Sequence, residues 1–168
     1  SMQPIHATSD MDWAEVRLGP DRIKGAYAWK SLLNSGSIIP AGTDFPNDIM
    51  QPLWGFYAAI TRKDKDGKPE DGWYPEQCMT REEALKSYTT WAAYAAFEEK
   101  LKGTITIGKL ADLTILSKDI MTISPNEILT TDVEMTIVDG KVVYSKSKLI
   151  NASSNRHLKQ VADLLKPN

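Results

Sequence analysis

Apolar positions recur at helical spacing through much of the chain, and the period shifts to two after Gly103. Over residues 21–35 the apolar set Ile23, Tyr27, Trp29, Leu32 and Leu33 predicts a helix, with Asp21 as its N-cap and Gly36 just past its end. Residues 37–42 form a short apolar run that reads as a strand, although Pro40 removes one ladder donor. Thr43-Asp44-Phe45-Pro46 then turns the chain away. Residues 48–62 are apolar and read as helical beyond Gln51, with Pro52 at the first helical position, where its missing N–H is no loss. Residues 63–77 are polar and hold two Gly and two Pro, so they read as a long loop. Trp73 and Tyr74 within it imply that the loop packs against something.

The strongest helix signal covers residues 80–101. Thr80 and Glu83 have the spacing of a capping box, in which each side chain satisfies an orphan amide of the first turn. Ala84, Tyr88, Trp91, Ala95 and Phe97 give it an apolar face, and Gly103 is its stop signal. Residues 111–116 and 133–144 are strand-like. Asp139-Gly140 between Val-rich runs predicts a hairpin, because a type I′ turn requires positive φ at both central residues. At the N-terminus, Ile5-His6 reads as the end of a strand that enters a loop over residues 7–10. At the other end, residues 151–155 read as a polar spacer before an amphipathic helix over 156–165, with Leu158, Val161, Leu164 and Leu165 on one side and Pro167 after it. The expected organisation is an α/β part over residues 1–102, a β part over 103–150, and a tail over 151–168.

Composition narrows the function classes. Lys and Arg number 20 and Asp and Glu 22, so the net charge of −2 gives no footprint for a nucleic-acid or polybasic membrane binder. No apolar run approaches the ~20 residues of a membrane span. The first residues lack the basic and apolar regions of a signal peptide. The compartment stays open between cytoplasm and periplasm. One cysteine, Cys78, excludes an internal disulfide and a cysteine-built zinc module. Two histidines, His6 and His157, leave little for a metal site made by this chain alone.

Few residues carry candidate chemistry. Asp44 follows a predicted strand and would sit at its carboxyl end, where α/β folds bind ligands. The alternative is that Asp44 only caps the next turn. His6 follows the first strand fragment in the same way, and a lone His is as readily structural. Asp10, Asp12 and Glu15 read as a solvated loop. Trp73 either lines a pocket or anchors its loop. Arg62 either holds a carboxylate through its paired donors or faces water. Cys78 has no nearby His in sequence to activate it.

Three segments, Gln3-Pro4-Ile5-His6-Ala7, Asp12-Trp13-Ala14-Glu15-Val16-Arg17-Leu18-Gly19 and Gly42-Thr43-Asp44-Phe45-Pro46, together resemble the last third of amidohydrolase-superfamily enzymes of the family 3 type. That group includes N-substituted formamide deformylase-like and YtcJ-like proteins. The run from Gly103 to Leu113 (GTITIGKLADL) and the run from Val138 to Tyr144 fit the same resemblance. It implies the last two β/α units of a (β/α)₈ barrel and the C-terminal share of a small composite β-sandwich. It implies that Ile5-His6 ends barrel strand seven and that residues 37–42 are strand eight. It implies Asp44 as the catalytic and metal-binding aspartate of the intact barrel, with His6, Trp73 and Arg62 on the substrate side. The cofactor implied is a divalent metal, zinc first, and the substrate a small amide-type molecule. The family's metal site also draws on a His-x-His pair and two later histidines that are not in this chain. A barrel of this kind needs about 250 residues. The chain alone is therefore expected to bind no metal and to be inactive. Two further readings remain: a non-catalytic binding or assembly module, and one chain of a two-chain hydrolase. Cut from its neighbours, the fragment is expected to pair with itself as a homo-oligomer or with an N-terminal complement.

Overall fold

The structure, a computed structural model, describes residues 1–146. The tail helix expected over residues 156–165 lies outside the described residues.

The chain opens as helix rather than loop. After the short α1 (His6–Ser9) comes α2 (Met11–Arg22), so residues 7–18 are not a solvated loop. Met11, Ala14 and Leu18 share one face of α2 and meet the core, with Ala14 fully buried. That spacing of three and four is a helical signal too sparse to stand out among Asp12, Glu15 and Arg17. Gly19 breaks the helix at φ 76°, a value that a residue with a Cβ adopts with strain, and Pro20 restarts it. Arg22 Nε donates to the Leu18 carbonyl across the break at 2.8 Å. The single helix expected over residues 21–35 is therefore two pieces. A 3₁₀ turn (Ile23–Gly25) ends the first, and α3 (Trp29–Asn34) is the second. Gly36, at φ 90°, closes α3 as expected. Its amide donates to Leu33 and that of Ser37 to Leu32, the paired bonds of a Schellman end.

The strand expected over residues 37–42 shrinks to one parallel bridge between Met2 and Ala41. Met2 N donates to Pro40 O at 2.8 Å and Gly42 N to Met2 O at 3.0 Å. Pro40 supplies only an acceptor, the chain at Pro4 already bends into α1, and residues 43–48 turn away, so no ladder can lengthen. The expected strand ending at Ile5-His6 is likewise absent, because His6 begins a helix.

Helix α4 (Pro52–Thr61) starts at Pro52 as expected and buries Phe56, Tyr57, Ala58 and Ala59. It forms the spine of the core with Ile23, Trp29, Trp73, Met79, Ala84 and Ile128 around it. Burying a side chain of the size of Phe56 contributes about 1.5–3 kcal/mol. The loop after α4 contains a 3₁₀ turn (Pro75–Gln77) and leads to α5 (Arg81–Tyr88). Both bonds of the Thr80–Glu83 capping box are present. The long helix expected through residue 101 breaks at Thr89 (φ −127°, ψ −91°) and resumes as the short α6 (Thr90–Ala95).

Strand β1 (Leu113–Leu116), the one-turn α7 (Pro125–Ile128), β2 (Val133–Val138) and β3 (Lys141–Ser145) complete the described chain. The three strands form an antiparallel sheet in the order β1-β2-β3. Leu113 faces Ile137, and Val138 faces Lys141. Asp139 (φ 50°) and Gly140 (φ 71°) make the turn that the Asp-Gly pair predicted. The connection between β1 and α7 is tied to α5 by Arg81, whose guanidinium donates to the Ile120 and Ile123 carbonyls.

Candidate functional site

The Met2–Ala41 bridge brings two of the candidate residues together. His6 lies four residues beyond Met2 and Asp44 three beyond Ala41, in two segments that run parallel. Both side chains therefore emerge at the same, carboxyl end. His6 Nε2 is 3.3 Å from Asp44 Oδ2 and 4.0 Å from Asp48 Oδ2. The His6 nitrogen is sealed from solvent and has no hydrogen-bond partner, so its approach to Asp44 meets the distance of a pair without the direction of a bond.

Asp44 sits at φ 60°, in the left-handed region that short polar side chains tolerate best after glycine. Its carbonyl accepts from the amides of Asn47 (2.8 Å) and Asp48 (3.2 Å), and its Oδ2 accepts from Asn47 Nδ2 at 3.1 Å. Asp44 thus caps its turn, and its carboxylate also faces His6. Asp48 completes the group, and sequence reasoning did not single it out. Its only signal is its place four residues after Asp44, where one turn can stack two carboxylates.

Arg62 and Trp73 form a cluster of their own. Arg62 ends α4 at φ 57° and is fully buried, so it does not face water. Its Nε donates to Trp73 O at 2.8 Å and its Nη1 to Tyr27 O at 3.0 Å. The guanidinium lies 5.0 Å from the Trp29 ring centre and 5.3 Å from that of Trp73. A planar, weakly hydrated cation suits such a slot. Burial pulls its pKa down from the ordinary value to about 10. The Trp73 indole donates to Glu15 Oε1 at 2.8 Å, which ties the long loop to α2. Gly72, at φ 85°, lets the loop pass the Thr61 carbonyl, which a Cβ would meet at 2.4 Å. Tyr27 Oη donates to Asp10 Oδ2 at 2.6 Å. Burial first, then that bond, raises its pKa to about 12. Burial also pushes the Cys78 thiol up, away from the reactive thiolate.

Among the described residues no group of three or more His, Cys, Asp or Glu side chains is arranged to hold a metal ion. One imidazole and one or two carboxylates fall short of the roughly three protein ligands of a catalytic zinc. The described residues therefore do not by themselves fit the metal that the family resemblance implies. A groove of about 670 Å³ runs between α4, α5 and the sheet, lined among others by Phe56, Leu85, Tyr88, Leu116 and Thr136. Its walls include none of the four candidates.

Comparison with known proteins places this geometry in context. Over 146 residues the chain is 36% identical to the protein YtcJ of Bacillus subtilis, covering 87% of this chain and 28% of YtcJ. It is 33% identical over 145 residues to LONG AFTER FAR-RED 3 of Arabidopsis thaliana, covering 86% of this chain and 24% of that protein. It is 29% identical over 118 residues to N-substituted formamide deformylase of Arthrobacter pascens, covering 70% of this chain and 21% of the enzyme. The chain thus spans about a quarter of the length of these relatives. No solved structure matches it significantly. Residues 1–144, which include the His6–Asp44 pair, the Arg62 cluster and the hairpin, match the amidohydrolase family, and the chain belongs to that family.

Proposed function

We propose that this chain is one segment of a metal-dependent hydrolase that acts on carbon–nitrogen bonds other than peptide bonds, in small amide-type substrates. The observation that carries the reading is the parallel Met2–Ala41 bridge with His6 and Asp44 3.3 Å apart at its carboxyl end. Parallel strands that deliver acid–base residues to that end are the working arrangement of a (β/α)₈ barrel. In this reading residues 1–102 are the last two β/α units of the barrel, and residues 103–150 are part of a composite β-sandwich. The relative named N-substituted formamide deformylase supports an amide-type substrate.

Asp44 is the proton acceptor in this proposal. Its carboxylate takes a proton from the water that attacks the amide carbon, a role worth typically 10²–10⁴-fold in rate. His6 stands at the same end as a substrate-side residue, its ring forming part of the wall beside Asp44. Arg62 and Trp73 act from behind: they fix the loop of residues 63–77 against α2 and so set the wall of the site. Asp44 would join a divalent metal, zinc first, only alongside ligands from outside this chain. The isolated chain is expected to be inactive.

The test is a chimera in which residues 1–146 replace the matched segment of the Arthrobacter pascens deformylase. Hydrolysis of an N-substituted formamide is expected to persist, to fall at least ~10²-fold with Asp44→Asn, and to fall less with His6→Gln. An active chimera indifferent to Asp44→Asn overturns the assignment.

A further inference from the structure

The nearest carboxylate to His6 is not well placed to hold it. Asp44 Oδ2, at 3.3 Å, already accepts from Asn47, and the ring nitrogen is left without a directed bond. A buried ring nitrogen left unpaired is destabilising, so an acceptor within reach is favoured. Asp48 is the second carboxylate in reach. Its Oδ1 accepts from the Ile49 amide at 2.7 Å, which fixes the group, and its Oδ2 stands 4.0 Å from His6 Nε2. Its side chain is 20% exposed against 43% for Asp44, so water screens it less. A shift of about 1 Å brings Oδ2 to hydrogen-bond distance.

Resting on the hydrolase reading above, we infer that Asp48 is the positioning residue of His6. Its Oδ2 accepts the Nε2 proton and holds the ring, which leaves the more exposed Asp44 carboxylate for the attacking water. The amide of Asp48 donates to the Asp44 carbonyl at 3.2 Å, so one turn sets both carboxylates on the two sides of this division of labour.

The test follows the ring proton of His6 in the full 168-residue chain by nitrogen-15 NMR, with His157→Gln to assign it. The parent chain is expected to show a protected Nε2 proton with Overhauser contacts to the Asp48 methylene and not to that of Asp44. Asp48→Ala should speed its exchange at least tenfold, about the worth of one hydrogen bond. Asp48→Asn keeps an acceptor oxygen and should restore protection, whereas Asp44→Ala should leave it. Absence of a protected ring proton in the parent chain, contacts to Asp44 instead, or protection lost with Asp44→Ala and kept with Asp48→Ala would each overturn the inference. The contacts in the parent chain decide the matter even where a variant fails to fold. None of these readouts depends on hydrolysis, so failure of the chimera leaves this test intact.

Discussion

Arg62 is a full cation held in the interior by two carbonyls and two indoles, without a carboxylate. Its Nη2 has no partner at all, so the slot is matched to the shape of the guanidinium more than to its charge. Lysine cannot bridge Trp73 O and Tyr27 O or stack between the rings. Arg62→Lys is expected to cost about 2 kcal/mol or more in chemical denaturation, and a loss below about 0.5 kcal/mol would show the cluster to be slack. Tyr27, on the far side of the same cluster, sets a pH limit. Its folded pKa of about 12 lies above the ordinary 10.0, so between those values the unfolded chain sheds the proton and the folded chain keeps it. Its contribution is therefore complete below pH 10 and lost as the pH rises through 12. Arg62 works against it across the whole of that window, because its folded pKa of about 10 lies below its ordinary value and the folded state is the first to lose that proton. Tyr27→Phe should remove the falling share of that balance, so that stability between pH 10 and 12 slopes further upward than in the parent chain, measured by denaturation at stepped pH. At this scale the sequence was a partial guide. Asp44 and His6 were legible because each follows a strand-like run. Asp48, Tyr27 and Glu15 were not, because their partners lie far off in sequence or in a turn of unknown geometry.

Between elements, glycines mark the closest contacts. In α4 a Cβ at Gly55 would lie 2.1 Å from the Tyr88 hydroxyl of α5, and that hydroxyl is buried without a partner. Gly to Ala in a helix is ordinarily worth up to about 1 kcal/mol of stabilisation. Here packing reverses the sign: Gly55→Ala should lower the melting temperature, and Tyr88→Phe should recover part of the loss. Tyr88→Phe alone should raise stability by about 1 kcal/mol, since it removes a desolvated hydroxyl. A melting temperature lowered by Tyr88→Phe would mean that the hydroxyl has a partner. Gly103 combines two demands. It sits at φ 93°, and a Cβ there would stand 2.9 Å from the Ala93 Cβ of α6. Signals that act over a few residues were readable in advance: the Thr80 capping box, Pro52 opening α4, and the Asp139-Gly140 turn. The errors came where apolar residues continue across a break. Residues 21–35 and 80–101 each keep a helical pattern while the backbone stops, at the 3₁₀ turn and at Thr89, because tertiary packing can outweigh local propensity. The strand over residues 37–42 failed for the opposite reason: a strand needs a partner, and Met2 offers a single bridge.

For the whole molecule, the deciding feature is apolar surface that the described residues leave uncovered. Phe97 is 93% exposed, Ile105 81% and Ile107 68%, and Leu101 and Leu110 beside them are also exposed. The amide of Leu110 donates to the Leu101 carbonyl, so these side chains border one surface between α6 and β1. Val16 and Trp13 expose a second patch on α2. Burying one such side chain fully is worth about 1.5–3 kcal/mol, so several together exceed what a folded chain ordinarily leaves in water. The chain covers only 28% of YtcJ, and a segment of that share would meet the rest of its fold over such faces. On its own, a chain with these exposed faces is expected to associate with itself. Sedimentation equilibrium should show mass rising with concentration, and Ile105→Glu should shift the chain back towards monomer while its helical content holds. The charge acts only if the patch is the contact, so association that ignores Ile105→Glu would move the interface elsewhere, to α2 or the sheet edge. A monodisperse monomer at high concentration that binds no apolar dye would show that the exposed faces do not need covering.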